Sequence, residues 1–295
     1  TNANFLTAQG ATATRPVLFK RSGDGNSRPT IFASDDAGTE DALFGFTGAS
    51  YITIDGMNFV TTAPGSAGTY SYGVHFRSTG QAACNNNAVI NCNFDFSQRR
   101  NTESAGNNIP HAVYFNATGA NSIFCVANNN IISNNSVAGF PRGLAVRGNA
   151  FQRSDNNIFA NNKIFDVTVS GIRIENTINT YIYGNEIGNV TLTGNISGDN
   201  GYAGIRTASA TGNTYIYNNK ISNVSYLGTL SNYRVNGLSL GSGSVANSNI
   251  TATGYVFNNI ISNIQAPNVV ATNLYTATYL AISDLGSFTA AFYKI

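Results

Sequence analysis

One ten-residue pattern recurs along this chain and restricts the folds that it can adopt. The clearest copy, Tyr-Ile-Tyr-Asn-Asn-Lys-Ile-Ser-Asn-Val, begins at Tyr215, and similar copies begin at Tyr181, Phe159 and Val256. Each copy places two apolar residues on either side of a polar turn. The pairs are Ile54/Phe59, Val89/Phe94, Ala127/Ile132, Phe159/Ile164, Ile182/Ile187, Ile216/Ile221 and Val256/Ile261. Repetition every few tens of residues predicts one small unit per repeat, stacked so that neighbours share a core.

A second short segment of alternating character lies between successive turns. It starts with a small residue in each repeat: Gly73, Ala112, Gly143, Gly171, Gly204 and Gly237. Its second and usually its fourth residue are apolar and are predicted to point inward, whereas the third and fifth point outward. Asn in the turns is expected to adopt left-handed backbone angles and to hydrogen-bond the next Asn along the stack. Because sustained helical periodicity is missing, we expect an all-β protein with almost no helix.

The stretch from Ala49 to Phe59 carries a family resemblance. It reads Ala-Ser-Tyr-Ile-Thr-Ile-Asp-Gly-Met-Asn-Phe and is followed by repeated Asn-Asn turns. It resembles the right-handed parallel β-helix of the pectate-lyase-like superfamily, most of all the versions in secreted and surface proteins exported by the type IX secretion route. The resemblance implies a single-stranded right-handed parallel β-helix, a solenoid of about seven to nine coils. It does not imply one activity, because lyases, hydrolases and adhesins share this fold.

The repeat sets the expected domain boundaries. Residues 45–265 are predicted to form the β-helix repeats. Residues 1–44 are expected to form an N-terminal cap with lead-in strands, because the first coil of a stack has unpaired backbone groups. Residues 266–295 keep apolar segments but have no clear Asn turn. We expect them to begin at least one further coil and the natural polypeptide to continue.

The composition of the chain limits which binding partners we expect. Charged residues make up 10% of the chain and the formal net charge is +2. The sequence has no basic tail and no apolar run long enough to span a bilayer, so we expect neither a nucleic-acid partner nor membrane insertion. The resemblance implies an extracellular or cell-surface location, with other domains of the same polypeptide as neighbours.

Three cysteines leave two interpretations open. Cys84, Cys92 and Cys125 lack metal-ligand spacing, and we interpret them as small buried hydrophobic residues. A disulfide between Cys84 and Cys125 is the alternative.

An acidic cluster near the N-terminus raises the question of a metal. Asp35, Asp36, Glu40 and Asp41 lie close in sequence but lack a recognisable calcium-ligand spacing. We expect no metal site and no cofactor, with calcium as the open alternative.

The outward residues of the alternating segments form the candidate site. Insertions place loops 61–72, 95–111, 191–203 and 225–236 beside the same sheet, so these loops are expected to wall a groove. Arginine pairs well with carboxylates and sulfates, and the groove floor is therefore predicted to bind an extended anionic polysaccharide or cell-surface glycan. The predicted substrate-binding residues are His75, Arg77, Tyr114, Arg147, Arg173, Glu175 and Arg206.

The predicted groove floor is consistent with two functions. The favoured one is an extracellular β-helical module of a larger secreted or cell-surface protein, structural or adhesive, with glycan binding along the arginines. The alternative is a polysaccharide lyase, or another carbohydrate-active enzyme, acting on acidic polysaccharide with Arg173 or Arg206 as base. Glu175 is the single acid on the predicted floor, whereas calcium-dependent lyases and glycoside hydrolases need more carboxylates, which favours the non-enzymatic function.

Overall fold

The computed structural model describes most of the chain. The described residues are 5–6, 10–21, 27–33, 41–61, 70–97, 109–117, 124–149, 152–192, 201–208, 212–228, 234–241, 253–269 and 277–283. Over these ranges the chain forms 27 β-strands and no helix. The strands assemble into three long parallel sheets and one two-stranded sheet.

Each long sheet takes one strand from each coil. Sheet 1 contains β1 (Phe5–Leu6), β4 (Asp41–Thr47), β7 (Tyr70–Arg77), β10 (His111–Asn116), β13 (Arg142–Arg147), β17 (Ser170–Glu175), β21 (Gly201–Ala208), β24 (Arg234–Gly241) and β27 (Ala277–Ser283). Sheet 2 contains β2 (Val17–Lys20), β5 (Ile52–Asp55), β8 (Ala88–Ile90), β11 (Ile131–Ser133), β15 (Ile158–Ala160), β19 (Thr180–Tyr183), β22 (Thr214–Tyr217) and β25 (Gly254–Phe257). Sheet 3 contains β3 (Thr30–Ala33), β6 (Asn58–Thr61), β9 (Asn93–Asp95), β12 (Ser136–Ala138), β16 (Lys163–Val167), β20 (Glu186–Leu192), β23 (Lys220–Tyr226) and β26 (Ile260–Gln265). The small sheet pairs β14 (Ser154–Asp155) with β18 (Thr177–Ile178).

The chain visits sheets 1, 2 and 3 in turn, and the next visit to each sheet adds a parallel strand beside the last. Eight such turns are present within the described ranges, and β27 supplies the first strand of a ninth. The protein is a single-stranded right-handed parallel β-helix, so the predicted fold class is confirmed.

The two residues of each Asn-Asn pair have different roles at the turn between sheets 2 and 3. The first residue of each pair adopts a left-handed backbone, with φ of 56° at Asn134, 55° at Asn161 and 55° at Asn218. Asn tolerates this region better than most residues, which explains its use there. The second residue points into the stack and forms a ladder of Asn135, Asn162, Asn185, Asn219 and Asn259.

Every rung of this ladder joins neighbouring coils by side chain and backbone. The backbone N–H and the Nδ2 group of one Asn both donate to Oδ1 of the next Asn, at 2.9 to 3.0 Å. Nδ2 also donates to a carbonyl of the preceding coil, as Asn162 does to Ile132 at 2.9 Å. Backbone groups that a tight turn leaves without a strand partner are thereby satisfied inside the protein.

One repeat lies in a different register from the one that the sequence predicts. Val89 pairs with Ile132 in sheet 2 and Phe94 pairs with Val137 in sheet 3, so the third pair of the repeat is Ile132/Val137. The prediction of Ala127/Ile132 was wrong because this coil carries a second Asn-rich turn before sheet 2. There Asn87 donates to Asn130, and Asn130 donates to Asn157.

The small residue that leads each strand segment of sheet 1 is required by a close approach. A Cβ on Gly171 would lie 2.6 Å from Ile187 Cγ2 and 2.7 Å from the Gly204 carbonyl oxygen. Gly171 therefore faces the core together with the next residue, Ile172, which is fully buried. Two consecutive inward residues break the alternation of the strand, and the residue before the glycine faces outward.

Apolar columns fill the interior between the three sheets. Phe46, Phe76 and Phe115 stack from sheet 1, with ring centroids 4.7 and 4.6 Å apart. Phe59 and Phe94 stack from sheet 3 at 4.7 Å. Aliphatic residues continue these columns through the later coils, so burial of equivalent side chains holds the coils in register.

The described parts of the two ends follow the same architecture. β1, β2 and β3 pair in parallel with β4, β5 and β6. β27 pairs in parallel with β24. The cap at 1–44 and the continuation beyond 266 stay predictions, and the acidic residues Asp35, Asp36 and Glu40 lie outside the described residues.

All three cysteines are free and buried. Cys92 occupies the rung before Asn135 in the ladder, where its backbone N–H donates to Asn135 Oδ1 at 2.9 Å. Its thiol lies 3.7 Å from the Ile54 carbonyl oxygen, the place that an Asn amide takes in later coils. The interpretation as small buried residues agrees with the structure, and the Cys84–Cys125 disulfide is not formed.

We predict that Asn162→Ala lowers the free energy of unfolding by about 3 kcal/mol, because it leaves the backbone N–H and one of the two Nδ2 hydrogens of Asn135 buried without an acceptor. Asn259→Ala is the matched control at the half-buried last rung, where water replaces the lost acceptor, and it should cost about 1 kcal/mol. Urea unfolding followed by circular dichroism measures both. Equal losses would contradict the structural role of the buried rung.

Candidate functional site

The candidate site is the outer face of sheet 1, which we call the outer layer. Three columns of side chains run across its strands, and parallel pairing fixes them in register. The first column is Ala42, Tyr72, His111, Arg142, Ser170, Ala203 and Asn236. The second is Gly45, His75, Tyr114, Ala145, Arg173, Arg206 and Ser239. The third is Thr47, Arg77, Asn116, Arg147, Glu175 and Ala208.

The structure brings the predicted site residues together on this face. His75, Tyr114, Arg173 and Arg206 share the second column. Arg77, Arg147 and Glu175 share the third. Their inward neighbours on the same strands belong to the core, as alternation requires.

Three of the outward-pointing residues are buried. His75 is 1% exposed, Tyr114 is 7% exposed and Glu175 is 6% exposed. Alternation along a strand gives the direction of a side chain but not whether other parts of the chain cover it. The third column is the more open margin, where the Arg147 side chain is 39% exposed and Arg77 is half-buried.

Aromatic rings occupy the N-terminal half of the outer layer. Tyr114 stacks on His111 with centroids 4.4 Å apart and on His75 at 5.3 Å. Tyr72 contacts His75 at 4.1 Å and Tyr114 at 5.4 Å. Four rings from the two neighbouring strands β7 and β10 therefore form one packed cluster beside the arginines.

Arginines surround one carboxylate in the adjoining strands. Arg173 Nε donates to Glu175 Oε1 at 2.6 Å, and the Nη2 group of Arg173 contacts the same oxygen. Arg147 Nε lies 2.8 Å from Glu175 Oε2, close enough for an ion pair but without hydrogen-bond geometry. Arg147 also hydrogen-bonds the Tyr114 side chain, which joins the aromatic cluster to the ion pair. Both Glu175 oxygens are thus engaged by cations, which is not the arrangement of a metal ligand.

Burial and neighbouring charge shift the protonation equilibria of the layer. Burial alone raises the pKa of Glu175, but the Arg173 and Arg147 guanidiniums outweigh it, and the pKa falls below the usual range. Burial, helped by Arg77, lowers the pKa of His75 to about 3. Burial also holds the pKa of His111 well below its usual range, and Arg142 adds to the effect. Both imidazoles are therefore neutral at pH 7.

Two arginines of the outer layer have pKa values below the usual range. Burial, followed by the charge of Arg173, lowers the pKa of Arg142 to about 9 and that of Arg206 to about 9. Burial raises the pKa of Tyr114, so its hydroxyl stays protonated. A concentration of titratable groups with shifted pKa values on one face is typical of a functional site.

Sequence reasoning missed the whole first column. Strict alternation from the small leading residue assigns Tyr72, His111 and Arg142 to the interior. The two consecutive inward residues of each strand turn them outward instead. The residue types could have indicated this column, because Tyr, His and Arg at three equivalent positions do not suit an apolar core.

Four loops are predicted to form the walls of the groove beside sheet 1. Residues 62–69, 98–108, 193–200 and 229–233 of the four loops lie outside the described residues. In the described part of the chain, no group of three or more His, Cys, Asp or Glu is placed to hold a metal ion. No helix among these residues is long and apolar enough to cross a membrane.

Solved structures with a similar fold are parallel β-helix proteins. A GH136 lacto-N-biosidase from Eubacterium ramulus has a TM-score of 0.52 and 11% identity over 95% of this chain and 60% of that chain. An alginate lyase from Paenibacillus has a TM-score of 0.42 and 16% identity over 88% of this chain and 85% of that chain. The periplasmic alginate epimerase AlgG has a TM-score of 0.37 and 14% identity over 88% of this chain and 51% of that chain. At these identities the likeness shows the fold alone.

This chain spans 60% of the length of the lacto-N-biosidase chain that it resembles. No protein-family model matches it, and no curated protein matches it in sequence. The outer layer must therefore be interpreted from its own chemistry.

We predict that the protein loses stability as the pH falls from about 7.5 to about 5. Both histidines have lowered pKa values in the folded state, so below their ordinary pKa of about 6.5 the unfolded chain binds protons that the folded chain does not. Each histidine should cost about 2 kcal/mol at pH 5. Urea unfolding at the two pH values measures this loss.

The chain contains only two histidines, which makes the test specific. His75→Phe and His111→Phe should each remove about half of the pH-dependent loss, because phenylalanine keeps an aromatic ring and does not titrate. A loss of the same size in the double variant would contradict the assignment to these residues.

Proposed function

We propose that the outer layer binds an anionic glycan, and that the chain is an extracellular β-helical module of a larger secreted or cell-surface protein. The observation that supports this most is the set of arginines beside a cluster of aromatic rings on one sheet face. Arg77 and Arg147 line the more open third column, and guanidinium groups recognise carboxylates and sulfates through paired hydrogen bonds.

The geometry favours an extended ligand that runs along the stack. Arg77, Asn116 and Arg147 occupy the same column on β7, β10 and β13, so their side chains repeat at the spacing of neighbouring strands, about 4.8 Å. Repeated contacts of this kind suit a polymer with one acidic group per unit. The aromatic cluster beside them is buried, so the side chains of the third column, and not the rings, offer the contact surface for the ligand.

The wider role is proposed on the same basis. A rigid stack with a binding face on one side suits a structural or adhesive module. Export by the type IX route and neighbouring domains of the same polypeptide belong to this proposal and rest on the sequence resemblance.

We expect the double variant Arg77→Gln/Arg147→Gln to weaken binding of alginate and heparin oligosaccharides at least tenfold. Each partly exposed arginine contact should contribute on the order of 1 kcal/mol, and binding should weaken further as salt screens the charges. Isothermal titration calorimetry at low and high salt measures the effect.

Lys163→Gln/Lys220→Gln is the matched control. It removes the same charge from exposed positions on sheet 3, where Lys220 pairs with Glu186 at 3.0 Å. This variant should bind like the parent. Unchanged binding by the arginine variant, with a normal thermal transition, would reject the outer layer as the site.

A polysaccharide lyase acting on the same ligand is the second candidate, and the pKa of about 9 at Arg206 favours it. The Nε and Nη2 groups of Arg173 are engaged by Glu175, so Arg206 is the better candidate for taking the proton beside a uronate carboxylate. Tyr114 lies three strands away from Arg206, roughly 14 Å at the usual strand spacing, so the leaving oxygen takes its proton from water. His75 is a poor base, because its pKa is about 3.

Lyase activity has a direct assay. Polyuronates incubated with the protein should yield unsaturated products that absorb ultraviolet light, and the rate should rise with pH toward about 9 as Arg206 loses its proton. Arg206→Ala should abolish the products. If the parent protein gives none from alginate, polygalacturonate or glucuronan, the lyase function is rejected and the binding function is unaffected.

A further inference from the structure

A second face of the protein carries an ordered aromatic surface that the proposed function does not use. Outward side chains of β19, β22 and β25 in sheet 2 form two adjacent ladders. One contains Tyr181, Tyr215 and Tyr255, with centroids 4.8 and 4.7 Å apart. The other contains Tyr183, Tyr217 and Phe257, with centroids 5.0 and 4.9 Å apart. We call these six residues the tyrosine strip.

The rings of the strip are partly open to solvent. Tyr255 and Phe257 are each 40% exposed, and the four other residues are half-buried. Neighbouring rings are nearly parallel, with interplanar angles of 2° to 9°. Centroids about 5 Å apart exceed the contact distance of roughly 3.5 to 4 Å between carbon atoms, so the rings are offset. Each ring therefore shows an edge and part of one face.

The outward positions of sheet 2 next to the strip are uncharged. On the preceding strands the outward residues of sheet 2 are Ala88, Ile90, Ile131, Ser133, Ile158 and Ala160. Charged side chains are missing from these positions between β8 and β25, in contrast to the outer layer of sheet 1. A nucleic acid or an acidic polymer gains nothing from such a surface. The partner is expected to be neutral.

The strip is narrow, which decides between a second protein and a linear ligand. Two outward residues on each of three strands cover on the order of 200 Å². A stable protein interface buries about 800 Å² on each partner. A second copy of this chain docked on the strip alone would bury much less area than that. A linear chain laid along the stack needs only this width.

We propose that the tyrosine strip is a binding site for a neutral linear polysaccharide that lies parallel to the axis of the β-helix. The C–H faces of sugar rings pack against aromatic surface, and the tyrosine hydroxyls beside them exchange hydrogen bonds with sugar hydroxyls. Identical contacts repeat from coil to coil, as a polymer of identical units requires. The site lies on sheet 2 and does not depend on the proposed function of sheet 1.

Affinity electrophoresis in gels containing hydroxyethylcellulose tests the proposal. The parent protein should be retarded, and Tyr215→Thr/Tyr217→Thr should raise the dissociation constant at least tenfold. Threonine suits a β-strand, so the sheet should be retained, and thermal melting verifies it. Phe32→Thr removes an aromatic residue that is 62% exposed on sheet 3 and should leave the retardation unchanged.

A more conservative variant protects the test against misfolding. Tyr215→Phe/Tyr217→Phe keeps both ladders and deletes two hydroxyls, so it should weaken binding severalfold with an unchanged melting temperature. The chain has no tryptophan, so tyrosine emission can be followed during titration with cello-oligosaccharides as an independent measure.

Three results would overturn the proposal. These are no retardation of the parent, equal retardation of the parent and the threonine variant, and a dimer in sedimentation that the threonine variant abolishes. The last would assign the strip to a second copy of the chain. Arg77→Gln/Arg147→Gln should bind hydroxyethylcellulose like the parent, which separates failure of this site from failure of the sheet 1 site.

Discussion

The buried asparagine ladder is the interaction on which the rest of the structure depends. A turn that reverses the chain between two sheets leaves backbone groups without strand partners, and these groups lie in the interior of the stack. Asn162 satisfies such groups in both directions, because its Oδ1 accepts from Asn135 and its Nδ2 donates to Ile132 and Asn185. The ladder holds across coils of unequal length, since its rungs are separated by 27, 23, 34 and 40 residues. Equivalent turns therefore align although the loops between them differ.

Alignment of the turns has a functional consequence. With the register fixed at each corner, side chains at equivalent positions form columns on the outer faces of the sheets. On sheet 1 the columns gather Arg173, Arg206 and Glu175, and on sheet 2 they gather the tyrosine strip. Burying arginines costs desolvation free energy, which Glu175 and the surrounding hydrogen bonds partly offset. If the outer layer of sheet 1 had only a structural role, apolar residues would stabilise it better. This is the physical reason for treating the outer layer as a functional site.

The sequence predicted the parts of this structure that depend on local chemistry. Paired Asn residues indicated both a left-handed turn and a ladder, and alternation correctly assigned His75, Arg173 and Arg206 to the outer face. It failed where two local signals competed, as in the coil with two Asn-rich turns at Asn130 and Asn135. It also failed where the close approach of Gly143 broke the alternation and turned Arg142 outward. Exposure could not be predicted, because it depends on what covers a face and not on the strand itself.

The central claim is that the outer layer of sheet 1 holds an acidic sugar chain at its arginine margin. A crystal structure of the protein with a uronate hexasaccharide tests this most directly. We expect a sugar chain roughly parallel to the β-helix axis along the third column, with a carboxylate within hydrogen-bond distance of the Arg147 guanidinium. An oligosaccharide bound on another face, or an outer layer that remains without ligand at saturating concentration, would contradict the claim.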